Sequence, residues 1–193
     1  MNTMAQQAVI FMARGGASGA QIADSARGFM AELTTTFLGT VNPQTGLAEQ
    51  AGLEWGIYHF LRPGSMAQQA QFFLDKARAA DVLHSDTLIA ADYEDAGVSL
   101  AQLEEFMEAI ETQTGRSPVL YSGHVLKDKG GGNAQPGLKK YRLWLAQYAT
   151  TPKLPSGWSK YWLWQWTDKG TVPGISGSVD CNDYQGTATQ LRA

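Results

Sequence analysis

Short apolar runs of strand length alternate along this chain with stretches in which apolar residues recur every three or four positions. Residues 7–13 and 56–60 carry compact apolar and aromatic runs that read as strands; residues 20–37 between them read as a helix, with a second helical piece at 45–51. From 65 to 80, Met66, Ala70, Phe73, Leu74 and Ala77 form the stripe of an amphipathic helix, and Ser65 is placed to cap it. Residues 87–94 then read as a buried strand, because Leu88-Ile89-Ala90-Ala91 has no polar interruption. Ser99 opens the next helix, with Gln102 three residues on as in a capping box. Leu103, Phe106, Met107 and Ile110 supply its buried stripe, and Gly115 stops it.

Beyond that point the helical rhythm fades. Residues 118–122, 143–148, 161–167 and 179–181 read as strands divided by Pro and Gly turns. Strand and helix alternation predicts a parallel α/β sheet or barrel, and the β-rich end predicts that its closure is irregular. The stretch Lys129-Gly130-Gly131-Gly132-Asn133 lacks the residue order of a phosphate-binding loop and is expected to be mobile. In the row Trp162, Trp164, Trp166, strand alternation places all three on one face, opposite Tyr161, Leu163 and Gln165. Most of these rings are expected in the core, with one or two at a cleft edge where an indole stacks on the apolar face of a sugar.

In a barrel, chemistry belongs at the carboxyl ends of the strands. Asp92 and Glu94 close the 87–94 strand two residues apart, so their Cα atoms lie about 6.6 Å apart on one face. Like charges that close do not ionise independently, which leaves a proton donor beside a carboxylate: the equipment of glycoside hydrolysis. Glu94 is the expected general acid, and Asp92 stabilises the developing positive charge or orients an acetamido group. That Cα spacing does not separate a retaining from an inverting outcome. The bland alternative is a pair of turn carboxylates leading into Asp95. His59 reads more readily as a hydrogen-bonded core histidine than as a base, and no histidine spacing anchors a metal site with Asp92, Glu94 and Asp180.

Composition narrows the partners. With 193 residues the chain suits one domain, and a net charge of -3 without a basic cluster gives no footprint for nucleic acid. No run is long enough to span a bilayer, and the N-terminus lacks the cationic and apolar segments of a secretory signal, which predicts synthesis in the cytoplasm. Cys181, the single cysteine, excludes an internal disulfide and reads as a small packed side chain.

Several segments together resemble the Chalaropsis-type lysozymes, glycoside hydrolase family 25. They are Gly56-Ile57-Tyr58-His59-Phe60, Asp92-Tyr93-Glu94, Pro118-Val119-Leu120-Tyr121, Leu143-Trp144-Leu145-Ala146-Gln147-Tyr148, Trp164-Gln165-Trp166-Thr167-Asp168, the run from Gly170 to Gly177, and Val179-Asp180-Cys181-Asn182. The resemblance implies a single catalytic domain over 1–193, an irregular TIM-like β/α barrel of five β/α units followed by three strands. It also implies cleavage of the β-1,4 bond between N-acetylmuramic acid and N-acetylglucosamine in bacterial peptidoglycan, without cofactor or metal, after release to the cell wall. The family's acid falls on Glu94, its neighbouring aspartate on Asp92 and its late aspartate on Asp180; Tyr58, Tyr121 and Tyr148 fall where similar proteins line the groove. Phe60, Trp164 and Trp166 complete the candidate sugar contacts.

Two departures stand out. The family's opening strand, Gly-Ile-Asp-Val-Ser, has no counterpart in Met1 to Gln7, so the strand at 7–13 matches the family's second; and Met12-Ala13-Arg14-Gly15-Gly16 replaces Lys-Ala-Thr-Glu-Gly. A barrel lacking that strand exposes hydrogen-bonding edges, which predicts a cover from a rearranged N-terminus, a second subunit or a longer chain. The same departures motivate a rival reading, a relative that binds peptidoglycan or a protein partner without cleaving. A metal-dependent hydrolase or deacetylase is a third.

Overall fold

The structure, a computed structural model, describes residues 7–12, 54–171 and 177–184, the first of these as backbone. Strands β1 (Gln7–Met12), β2 (Glu54–Phe60), β3 (Leu88–Tyr93), β4 (Val119–Ser122), β5 (Leu143–Ala146), β6 (Leu163–Gly170) and β7 (Val179–Tyr184) form one sheet in sequence order. Helix α1 (Met66–Ala79) joins β2 to β3, α2 (Leu100–Thr114) joins β3 to β4, and the short α3 (His124–Asp128), α4 (Gly131–Ala134) and a 3-10 turn (Pro136–Lys140) lead into β5. The fold is thus the expected α/β arrangement with a β-rich C-terminal part. The helices expected at 20–37 and 45–51 lie outside the described residues.

Strands β2 to β6 run parallel, which brings their carboxyl ends to one rim; β7 runs antiparallel to β6. The first strand departs from expectation. It pairs antiparallel with β2, from Gln7 opposite His59 to Met12 opposite Glu54, where strand and helix alternation predicted a parallel neighbour. Backbone ladders close in either direction, and an apolar run of six residues carries no signal for which one forms.

Both major helices form as their sequences dictate. The Ser65 side chain accepts from the Gln68 amide, and Met66, Ala70, Phe73, Leu74 and Ala77 are the buried stripe of α1. Ser99 and Gln102 close a reciprocal capping box on α2, and Gly115 ends it in the left-handed conformation at φ 68°. Their stripes pack with Ile89, Ala91 and Tyr93 of β3 into the main core between helices and sheet. A smaller apolar cluster, Ala90, Val119, Trp144 and Leu163, fills the opposite face. Since both faces are covered, β3 is buried from Ile89 to Tyr93, and its continuous apolar run is explained.

Close approach decides two glycine sites. A Cβ on Gly56 would sit 2.6 Å from the Leu88 Cβ, so glycine here lets β2 and β3 pair. The glycine stretch at 129–133 is ordered rather than a free loop: Gly131 and Gly132 are buried, the Gly132 amide donates to Ser156 O at 2.7 Å, and a Cβ on Gly131 would meet that same oxygen at 2.6 Å. Absence of side chains there serves contact with the 155–158 segment rather than freedom of motion.

Candidate active site

Strand alternation sorts the carboxyl rim. On β3, Ile89, Ala91 and Tyr93 enter the helix-side core, so Ala90 and Asp92 belong to the other, concave face. Register then places one residue per strand in a row: Phe60 opposite Asp92, Asp92 opposite Tyr121, Tyr121 opposite Trp144, and Trp144 opposite Leu163. Neighbours in such a row are about 4.8 Å apart, so Asp92 lies between an aromatic ring and a phenol.

Asp92 is 8% exposed, and its Oδ1 has no hydrogen-bond partner among the described residues. Burial, reinforced by the charge of Glu94 and opposed by Arg62, pushes its carboxyl up to about 8. Glu94 follows β3 directly and is exposed, so a ligand can reach it. Of the two carboxyls, Asp92 is thus the one that burial and its neighbour's charge raise, whereas the sequence pointed to Glu94 as the proton donor.

The surrounding phenols report the same field. Tyr58 is raised by burial and then by Asp92 and Glu94; Tyr121 is raised by burial and then by Glu94, Asp92, Tyr148 and Asp180. Tyr148 is raised by burial, Asp180, Asp168 and Glu94, and Asp180 itself by burial and Asp168. Carboxyls and phenols from β2, β3, β4, β6, β7 and the end of β5 thus lie within reach of one another's charge. Asp180 is exposed, and its charge acts on Tyr121 and Tyr148.

Four ties hold the segment behind Glu94. The Tyr93 hydroxyl donates to Val98 O at 2.8 Å, the Gly97 amide to Asp95 Oδ1 at 2.8 Å and Lys129 Nζ to Ala96 O at 2.7 Å, while Arg62 pairs with Asp95 at 3.3 Å. The Ser122 hydroxyl donates to Tyr93 O at 2.6 Å, joining this segment to β4. Arg62 also lies over the Phe60 ring, 4.4 Å from its centroid, at the cleft's β2 edge.

The tryptophans divide differently from the single-face row. Trp162 precedes β6, sits with the concave cluster and meets Tyr184 edge-on at 5.9 Å. Trp164 faces the helix side: it packs on the main core, and its indole N–H donates to Gln147 O at 2.7 Å. It is therefore away from the acid pair. Trp166 falls between the ladder pairs Gln165–Asn182 and Thr167–Cys181, at a register shift, and is 44% exposed. A bulge re-aims the side chain it carries, which alternation alone does not foresee. Tyr148, 56% exposed, is the other open aromatic on the rim.

His59 is a core residue. It stacks on Phe106 at 5.3 Å and bonds Gln69 Oε1 through Nε2 at 3.1 Å, and burial lowers its pKa. Sequence reasoning passed over Gln165. This buried amide accepts from the Tyr121 hydroxyl at 3.0 Å and the Tyr148 hydroxyl at 3.2 Å. The only available signal was its place two residues after Leu163, on the concave side of β6. Among the described residues no group of three His, Cys, Asp or Glu side chains is arranged to hold a metal ion.

Strand order and helix placement define a mixed α/β fold of the kind found in glycosyl hydrolases. The model of glycosyl hydrolases family 25 matches residues 34–175, and the chain belongs to that family. It is 32% identical to the protein YegX of Escherichia coli O157:H7 over 154 residues, covering 76% of this chain and 54% of that protein. Lysozyme M1 of Streptomyces globisporus is 28% identical over 164 residues, covering 76% of this chain and 54% of that protein. Among solved structures, a muramidase from Acremonium alcalophilum superposes with a TM-score of 0.64 at 31% identity, covering 79% of this chain and 77% of that one. The chain spans about half the length of these curated relatives.

Proposed function

We propose that this protein is a peptidoglycan muramidase that hydrolyses the β-1,4 bond between N-acetylmuramic acid and N-acetylglucosamine, acting at the bacterial wall as a phage or prophage endolysin. The observation that carries this reading is the coupled pair Asp92 and Glu94 at the carboxyl end of β3, in one cleft with Tyr58, Tyr121, Tyr148 and Asp180. Family membership and likeness to a muramidase support the substrate class.

Chemically, the pair holds one proton near neutrality. A glycan lying over the exposed Glu94 excludes water there and favours passage of the proton from Asp92 to Glu94, and Glu94, the member that a sugar can touch, delivers it to the glycosidic oxygen as the C–O bond breaks. Asp92 is then the anion facing the oxocarbenium-like centre or holding the acetamido group, and water completes the hydrolysis. Asp180 adds negative potential from the opposite wall. Phe60, Tyr148 and Trp166 offer ring faces to the saccharide.

Digestion of purified walls with detection of new reducing ends at muramic acid tests this. Glu94→Gln is expected to lower turnover by about a hundredfold or more, the scale of general-acid catalysis, with the fold retained. Undiminished turnover in that variant would remove the assignment. A second reading is favoured by Met12-Ala13-Arg14-Gly15-Gly16, which stands where the resemblance expects Lys-Ala-Thr-Glu-Gly and lacks its glutamate: the protein binds glycan, or a protein partner, without cleaving it. Sedimentation with walls but no released muropeptide selects that reading. A second subunit along the outer edge of β1 belongs to either version, and sedimentation velocity tests it.

A further inference from the structure

Tyr121 and Tyr148 come from different strand ends, yet both hydroxyls converge on one atom, Gln165 Oε1, at 3.0 and 3.2 Å. The amide is 5% exposed, so the convergence is built into the sheet and is not a surface accident. Tyr121 is also the register partner of Asp92 on the adjacent strand. A phenol on the neighbouring strand, within the field of Asp92, is a natural donor for a buried carboxyl, but its proton goes to Gln165 and Asp92 Oδ1 is without a partner among the described residues. A hydroxyl has one proton to give and two lone pairs to offer.

We propose that Gln165 is a positioning residue: its carbonyl oxygen commits the hydroxyl protons of Tyr121 and Tyr148, withholds a phenol donor from Asp92, and leaves both phenol oxygens as acceptors for N–H and O–H donors of the bound sugar. This rests on the muramidase reading for its meaning in turnover, but not for its test. Hydrogen bonding to the ionised form of a carboxyl favours that form, so a phenol that donated to Asp92 would draw its proton off. Withholding it keeps the shared proton in the pair. Other groups bear on Asp92 as well: Tyr58 from β2, Arg62 after it and Glu94 beyond β3. Tyr148, Asp180 and Asp168 complete the field around Tyr121 and Tyr148.

The test follows the Asp92 carboxyl directly, by carbon-13 NMR titration of labelled aspartates, with the resonance assigned through its loss in Asp92→Asn. In Gln165→Met the Tyr121 hydroxyl is released, and the Asp92 midpoint is expected to fall by about one pH unit, a tenfold loss of proton affinity. Adding Tyr121→Phe to that variant is expected to restore it. Tyr121→Phe alone, which keeps the Gln165 amide, is expected to leave the midpoint in place and decides the matter even where Gln165→Met does not fold. A midpoint that rises in Tyr121→Phe means that the phenol already donates to Asp92 and overturns the proposal, as does an unmoved midpoint in folded Gln165→Met. Wall turnover is read separately: the basic limb of its pH profile is expected to move down in Gln165→Met. A chain with no turnover at all but the expected NMR shifts loses the muramidase reading and keeps the positioning role.

Discussion

His59 and Asp92 are buried ionisable groups on neighbouring strands, on opposite faces of the sheet, and they are handled in opposite ways. His59 is wedged against Phe106 and Phe73, with a bond to Gln69 through Nε2 and no partner for Nδ1 among the described residues, and burial lowers its pKa. Burial and the charge of Glu94 raise Asp92 to about 8, and its Oδ1 has no hydrogen-bond partner among the described residues, with the exposed Glu94 two residues on. The helix side uses burial for packing. On the concave side the same burial raises a carboxyl next to the exposed Glu94. Discharging the cost of burying Asp92 requires something to arrive.

That contrast is breakable in a definite order. Phe106→Ala, which strips the ring beneath His59 in the fully buried stripe of α2, is expected to cost about 3–5 kcal/mol in a denaturant titration. Asp92→Asn should do the reverse. A carboxyl raised from 3.8 to about 8 on folding keeps its proton while the unfolded chain loses it, so the wild type loses stability as pH rises between those values and the penalty is complete above them. The Asn variant is therefore expected to match the wild type near pH 3 and to exceed it by several kcal/mol near pH 9, on the order set by that shift, with turnover impaired; parallel stability curves would contradict the account. Ser99→Ala removes the accepting half of the capping box on the helix side and is expected to cost about 1 kcal/mol, with kcat unchanged in the wall assay. Smallest in stability is Trp166→Ala at the open rim, expected within about 0.5 kcal/mol of wild type by thermal melting while KM for wall fragments rises.

Legibility in the sequence follows the same division. Helices α1 and α2 were readable because cap, stripe and stop all agree over many residues, as in the run from Ser99 to Gly115. Asp92 and Glu94 were readable because carboxyls closing an apolar run have few structural uses. Strand direction at β1 was not, since pairing is carried by backbone atoms that every residue shares. The division of Trp162, Trp164 and Trp166 was lost to a strand that starts two residues later, at Leu163, and a register shift at Trp166. Gln165 was hidden by its chemistry: an amide between two indoles shows neither charge nor periodicity, and its value comes from two phenols that arrive from 44 and 17 residues away.

The four ties on residues 95–98 bear on how the molecule resists attack. An endoprotease must draw several residues of extended backbone into its own groove, and here that requires Tyr93, Lys129, Arg62 and the Asp95 side chain to let go together. Digestion of the folded chain should therefore nick elsewhere first, and the stretch that carries the acid should survive as part of a long resistant fragment.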